Sequence, residues 1–190
     1  MTDTLEAVRQ DIDARLAQAA KDRHSPMHVP VVATHDAELR VMVMRGWNAE
    51  LKVVRLHTDA RSPKVDAIGD GALVGLLFYD PKPRIQIRLR GQGRVEVDGP
   101  IADAAWAKAN NYARRCYLAT GAPGTTLSQP GSGLPDEFEG VKPTDADLVS
   151  ARRNFAVLLI KVVRFDWLHL AHDGHRRAIF DTMGQRWVIP

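Results

Sequence analysis

Residues 84–97 read RIQIRLRGQGRVEV, and this stretch decides the fold class of the chain. Apolar and polar side chains alternate through its first half, which is typical of a β-strand with one buried and one exposed face. Gly91 and Gly93 lie inside the same strand, where glycine indicates a bulge or a sharp bend. Since a bent strand lets a sheet curl on itself, the stretch predicts a barrel-like sheet.

Further strand patterns lie on both sides of this stretch. Residues 72–79 are apolar at nearly every position, which predicts a strand covered on both faces. Residues 155–170 are strongly β-forming, and two short runs near the C-terminus predict a closing hairpin. Together with the run 40–44 and the strand that follows it, these patterns predict a mainly β fold. We expect a β-barrel of six or seven strands with peripheral helices.

The chain length and composition predict one domain over residues 1–190. A chain of 190 residues of which 45% are hydrophobic can bury one core without disulfides. Residues 1–23 predict an N-terminal amphipathic helix, because apolar side chains recur every three or four positions from Leu5 to Leu16. Residues 119–147 are rich in glycine, proline, serine and threonine, which predicts a long loop.

Charge and composition argue against several classes of partner. The net charge is +3 and the arginines are dispersed, so we expect no nucleic-acid partner. No apolar run approaches the roughly 20 residues that cross a bilayer, so no membrane association is expected. The single Cys116 and the absence of a secretory leader pattern predict a cytoplasmic protein. Three histidines spaced three apart near residue 170 would not share a face on a strand, so no metal site is expected.

The segment between Arg40 and Lys64 contains the first candidate site. It reads as strand, hairpin, strand and helix start, and Thr58 lies just past the second strand. Ser62 followed by Pro63 is typical of a helix N-terminus, with a hydroxyl cap and proline at the first helical position. Basic side chains beside the first turn of a helix favour a phosphate group. The same residues fit a capped surface helix with scattered charges equally well, and both interpretations stay open.

The second candidate cluster contains Trp167, His175, Arg176 and Arg177. By itself it fits a core tryptophan beside a polar surface hairpin. The joint pattern of the two clusters, however, resembles the pyridoxamine 5'-phosphate oxidase-like family, flavoproteins with an FMN-binding split β-barrel. The resemblance rests on the following stretches: RVMVMR at 40–45, HTDARSPK at 57–64, RIQ at 84–86, and Trp167 with His175 and Arg177 eight and ten residues later.

The resemblance implies a homodimer with one FMN in each of two clefts at the subunit interface. Matched position by position, it implies that the FMN phosphate is held by Arg40, Ser62 and Lys64. The other positions that it assigns to cofactor binding are Thr58, Gln86, Gln129, Trp167 and Arg177. On the substrate side it assigns Arg45 and His175.

The resemblance also implies a flavin-dependent oxidoreductase that acts on a small polar or anionic substrate. Asp173 stands where the vitamin B6 oxidases have an arginine, and an aspartate would repel a pyridoxal-type phosphate. His57 and Pro63 also replace residues that those enzymes place near the cofactor. Two alternatives remain: a true pyridoxamine 5'-phosphate oxidase, and a flavin- or haem-binding module without turnover.

Overall fold

The computed structural model describes residues 4–190. Within them the α-helices are α1 (Leu5–Lys21), α2 (Pro63–Ile68), α3 (Pro100–Lys108) and α4 (Asn111–Arg115). The strands are β1 (Val31–Ala33), β2 (Leu39–Val41), β3 (Met44–Asn48), β4 (Val53–Asp59), β5 (Asp70–Asp80), β6 (Ile85–Glu96), β7 (Phe155–His169), β8 (Arg176–Asp181) and β9 (Gly184–Val188). Residues 119–147 contain one 3-10 turn, Asp136–Phe138, and no strand or α-helix.

The strands form one antiparallel sheet in the order β2-β1-β5-β6-β7-β4-β3, with β8 added to β7 and β9 to β8. The first half of β7 pairs with β4 and its second half pairs with β8, while β6 pairs along nearly its whole length. One long strand thus joins two sets of neighbours, and the sheet curls into a half-barrel. The predicted mainly β, barrel-like fold with peripheral helices is confirmed.

The described chain forms nine strands rather than the expected six or seven. The run 40–44, predicted as one strand, divides between β2 and β3. The backbone N–H groups of Met42 and Met44 donate to the carbonyls of Pro30 and His28, so the chain changes pairing partners between the two short strands. The prediction of a single strand was wrong because hydrophobicity does not reveal where a strand changes its neighbour.

The bend predicted in β6 lies at Gly91. The register of β6 against β7 shifts between Arg90 and Gly91, as in a β-bulge. A Cβ atom at Gly91 would lie 2.5 Å from the carbonyl oxygen of Lys161, and one at Gly93 would lie 2.8 Å from a methyl group of Val74. Only glycine allows the strands to approach so closely here.

The main core lies between the concave face of the sheet and α1. Thr4 caps α1, since its Oγ1 accepts from the backbone N–H of Ala7 at 3.1 Å. This matches the N-terminal helix predicted over residues 1–23, of which residues 1–3 lie outside the described part. A second cluster joins α3 to the start of β7 and includes Tyr117 and Phe155. The buried side chains of α1 are Val8, Ile12, Leu16 and Ala19.

The opposite surface of the sheet, here called the outer face, leaves apolar side chains in water. Leu39 and Val41 on β2 are each 65% exposed, and on β5 Leu77 is 37% and Tyr79 43% exposed. The expectation that β5 is covered on both faces is therefore wrong for a single chain. Among the described helices, none is both long and apolar enough to cross a membrane.

Candidate functional site

Lys64 binds two hydroxyl groups at the start of α2. Its Nζ donates to Oγ of Ser62 at 2.5 Å and to Oγ1 of Thr58 at 3.2 Å. Thr58 and Ser62 are both buried. Ser62 occupies the N-cap position, with Pro63 behind it, but its hydroxyl makes no cap hydrogen bond. Strand β4 and the turn into α2 thus place an ammonium group and two hydroxyls at one point.

Arg40 is the second cation near this point. The pKa of Lys64 is lowered, first by burial and then by the positive charge of Arg40, while Asp59 acts in the opposite direction. Asp59, however, is paired with Arg61 at 2.7 Å. Arg40 itself donates to Oγ1 of Thr34 at 2.8 Å. Within the described residues neither Arg40 nor Lys64 has a carboxylate partner, so an anion between them would relieve their repulsion.

These side chains line a cavity of about 370 Å³, here called the Arg40–Lys64 cavity. Its wall includes Arg45 and Thr58 from neighbouring strands and Tyr117 from the segment after α4. The structure therefore brings together five of the residues predicted from sequence: Arg40, Arg45, Thr58, Lys64 and, through its hydrogen bond to Lys64, Ser62.

The helix dipole contributes less here than the sequence suggested. Helix α2 has six residues, and the macrodipole of so short a helix is small. The positive potential of the Arg40–Lys64 cavity therefore comes from its side chains.

Gln86 and Arg177 lie elsewhere, in one row across the outer face. The strand register pairs Tyr79 with Gln86, Gln86 with Leu168, and Leu168 with Arg177. Strands lie about 4.8 Å apart, so Gln86 and Arg177 are roughly 10 Å apart across two strand spacings. Within one chain, these two predicted cofactor contacts line the outer face and not the Arg40–Lys64 cavity.

Arg177 is held by a buried carboxylate. Its Nε and Nη2 donate to Asp166 at 3.0 and 2.8 Å, and Nη2 of Arg88 donates to the same carboxylate at 2.7 Å. The hydrogen bonds that Arg177 donates to Asp166 raise the pKa of Arg177. Asp166 is only 6% exposed, so the two arginines hold its charge and fix the guanidinium of Arg177 at the sheet surface.

Two further predicted site residues, His175 and Gln129, lie on the exposed surface. His175 lies exposed in the turn before β8, beside Arg177 and Trp187 at a shallow surface cavity. Gln129 lies exposed in the 119–147 loop, and none of the described contacts joins it to Lys64.

Trp167 lies in the core and not at the Arg40–Lys64 cavity. It was expected to contact the cofactor, but its side chain is 0% exposed and its Nε1 donates to Asp11 of α1 at 3.2 Å. No ligand can touch an indole without exposed surface, so Trp167 belongs to the core.

The three histidines near residue 170 form no metal cluster, since the described residues contain no group of three or more His, Cys, Asp or Glu side chains that could hold a metal ion.

His57 is a site residue that sequence reasoning did not select. Its ring packs edge-on against Phe155, with ring centres 4.9 Å apart, and its Nε2 is buried without a hydrogen-bond partner. Burial, and then the charges of Arg45 and Arg55, lower its pKa to about 4. His57 is therefore neutral at neutral pH. Nothing in the local sequence pattern reveals this, because the cause is the packing of other segments around β4.

The lowered pKa of His57 predicts a loss of stability in acid. In the unfolded chain the ordinary pKa is 6.5, so the unfolded state takes up a proton first as the pH falls. The free energy of unfolding should be unaffected by this group above pH 6.5 and should decrease between pH 6.5 and about 4. At about pH 5 the loss is about 2 kcal/mol. Urea unfolding measures the free energy of unfolding at about pH 7.5 and at about pH 5. The decrease between these two pH values should be smaller in His57→Phe than in the wild type by about 2 kcal/mol. An equal decrease in the two proteins would contradict the prediction.

Comparison with known protein families gives one match. Residues 9–97 match the family model described as pyridoxamine 5'-phosphate oxidase, FMN-binding domain. The matched stretch contains Arg40, Ser62 and Lys64, so the chain is similar to this FMN-binding domain over somewhat less than half of its length. None of the curated protein sequences compared with it matches significantly.

Solved structures share the fold of this chain along nearly its whole length. A pyridoxamine 5'-phosphate oxidase-related, FMN-binding protein from Nostoc punctiforme is 22% identical, with a TM-score of 0.68 and 96% of each chain covered. PhzG from Burkholderia lata, solved with tetrahydrophenazine-1-carboxylic acid, is 14% identical, with a TM-score of 0.67 over 100% of this chain and 94% of that one. A protein related to general stress protein 26 from Clostridium acetobutylicum is 10% identical, with a TM-score of 0.55 over 95% and 97%. The shared fold is the split barrel.

Proposed function

We propose that this protein binds FMN and that the Arg40–Lys64 cavity holds the FMN phosphate. The observation that carries the proposal is the hydrogen-bonded group of Lys64, Ser62 and Thr58 beside Arg40, two cations without a carboxylate partner among the described residues. A phosphate dianion fits this donor set, because it neutralises both cations and accepts hydrogen bonds from ammonium, guanidinium and hydroxyl groups. The FMN-binding domain of the family supports the same cofactor.

The flavin ring would be held by the residues of the outer face. The Gln86 amide can donate to the pyrimidine edge, and the fixed guanidinium of Arg177 can stabilise negative charge there. Gln129 would approach the ring from the 119–147 loop.

We further propose a homodimer, packed through the outer faces of two chains. The apolar side chains exposed there include Leu39, Val41 and Leu77, and contiguous apolar surface of this kind is typical of an interface. Packing of two outer faces would bring Arg177 of one chain towards the Arg40–Lys64 cavity of its partner. This explains why the predicted contacts form two separate groups in one chain.

The activity that this site supports best is that of an FMN-dependent oxidoreductase. Bound FMN would supply hydride transfer, while the protein binds and orients the substrate. Arg45 lines the Arg40–Lys64 cavity and is exposed, so it can attract a small polar or anionic substrate. His175 would contact the substrate from the partner chain. We place this single-domain protein in the cytoplasm.

The alternatives predict different behaviour of the purified protein. A yellow protein that is reduced and reoxidised with a turnover substrate supports the oxidoreductase. Hydrogen peroxide formed with pyridoxamine 5'-phosphate would show the B6 activity, despite the exposed Asp173 in the turn before β8. A yellow, reducible protein that is inert towards nicotinamides and oxygen would be a binding module.

The visible absorption spectrum of freshly purified protein tests the cofactor. We expect flavin absorption, and FMN rather than FAD in the extract, because the Arg40–Lys64 cavity holds a terminal phosphate. A colourless protein that also fails to bind added FMN would contradict the proposal.

A further inference from the structure

A second, smaller cavity of about 230 Å³ lies beside the Arg40–Lys64 cavity and shares Arg45, His57, Ala113 and Tyr117 with it. It is enclosed by the end of α1, by β3 and β4, and by α3 and α4. Three classes of side chain line it: the cations Arg45, Arg55 and Lys108, the uncharged polar residues His57, Asn110 and Tyr117, and the apolar residues Ala20, Ala105, Ala109, Ala113 and Phe155. We call it the alanine-walled cavity.

The charges of the alanine-walled cavity are not balanced. No carboxylate lines it, and within the described part of the chain Arg45, Arg55 and Lys108 form no ion pair. Most other arginines of the sheet form ion pairs, as Arg88 and Arg177 do with Asp166. Three cations on one small cavity repel one another, and a bound anion would remove that repulsion.

The apolar wall restricts the kind of anion. Four alanine methyl groups and the Phe155 ring offer no hydrogen bond, so they favour an apolar body over a second charged group. The volume lies below the roughly 300–1,000 Å³ of cavities for drug-sized ligands, so the ligand is small. Guanidinium groups match the planar geometry of a carboxylate.

We propose that the alanine-walled cavity binds a small carboxylic acid with an apolar body. The carboxylate lies towards Arg45, Arg55 and Lys108, and the apolar body lies against the alanines and Phe155. That the acid is the substrate of the flavin rests on the proposed function, whereas its binding does not.

The state of His57 agrees with this assignment. Burial is the main cause of its lowered pKa, and the positive charges of Arg45 and Arg55 at the cavity wall lower the pKa further. The hydroxyl of Tyr117 at the same wall stays protonated, because burial raises its pKa. Tyr117 therefore adds no negative charge that would compete with an incoming carboxylate.

The test measures binding of 4-fluorobenzoate by fluorine NMR, with FMN-free and FMN-loaded protein. We expect saturable binding in both forms, and much weaker binding of 4-fluorobenzamide, which has the same shape without the charge. Lys108→Gln should weaken 4-fluorobenzoate binding about tenfold and leave FMN retention unchanged. Lys108 is exposed on α3, so this change does not disturb the core. Arg55→Gln, checked for folding by circular dichroism, should act in the same direction.

The matched control is Lys82→Gln, an exposed lysine in the turn between β5 and β6. An equal loss in this control would reduce the effect to overall charge and overturn the proposal. Displacement of 4-fluorobenzoate by FMN, or its loss in Lys64→Gln but not in Lys108→Gln, would place the acid at the Arg40–Lys64 cavity and also overturn it. The proposal is also overturned if 4-fluorobenzamide binds as tightly as 4-fluorobenzoate, or if 4-fluorobenzoate shows no saturable binding. If the wild-type protein still retains FMN when one of these results is obtained, only the acid-binding proposal fails and the proposed FMN binding is unaffected.

Discussion

Replacement of Arg40 and Lys64 together by glutamine is expected to weaken FMN binding at least about a hundredfold. A hydrogen bond to a charged group contributes about 1.5–3 kcal/mol, and the double change removes at least two of them. Lys64 is the stronger contributor, because burial and the neighbouring Arg40 already make its unpaired charge unfavourable. Titration of the apo-protein with FMN, followed by quenching of flavin fluorescence, measures the dissociation constant.

The matched control is Lys82→Gln with Arg84→Gln, which removes one lysine and one arginine from an exposed turn. This control should bind FMN like the wild type. Both double variants should also keep the far-ultraviolet circular dichroism of the wild type, since none of the four side chains belongs to the core. If Arg40→Gln/Lys64→Gln binds FMN with unchanged affinity, the phosphate lies elsewhere and the assignment of the cavity is wrong.

Local features of the fold could be predicted because they depend on neighbours in sequence. The alternation in residues 84–97 fixed which face of β6 is buried, with Ile85 and Ile87 inside and Arg88 outside. Gly91 indicated the bulge, since its lack of a side chain has a direct geometric consequence. The turn chemistry of Ser62 and Pro63 likewise placed the start of α2 correctly.

Features that depend on distant segments could not be predicted. The indole of Trp167 is buried because α1, more than 150 residues earlier in the chain, supplies the acceptor Asp11. The environment of His57 depends on Arg45, Arg55 and Phe155, which come from three different strands. The alanine-walled cavity adds helices α1, α3 and α4 to these strands, and no single stretch of sequence contains it.

Introduction of lysine at both Leu39 and Leu77 is expected to convert the proposed dimer to monomers. The two side chains are exposed in one chain, so the substitutions leave the core unchanged. In a two-fold symmetric interface each lysine occurs twice, and burial of these charges among apolar groups and the arginines of the outer face is unfavourable. The dimer dissociation constant should rise at least about a hundredfold, as measured by sedimentation velocity.

The monomeric variant should also bind FMN more weakly, although its Arg40–Lys64 cavity is intact. Gln86 and Arg177 lie on the outer face, so a cofactor held by both groups of residues needs two chains. The control Leu51→Lys with Val149→Lys replaces exposed apolar side chains in a turn and in a loop, and it should change neither property. A monomeric variant with full FMN affinity would show that one chain completes the site, whereas an unchanged dimer would show that the interface lies on another surface.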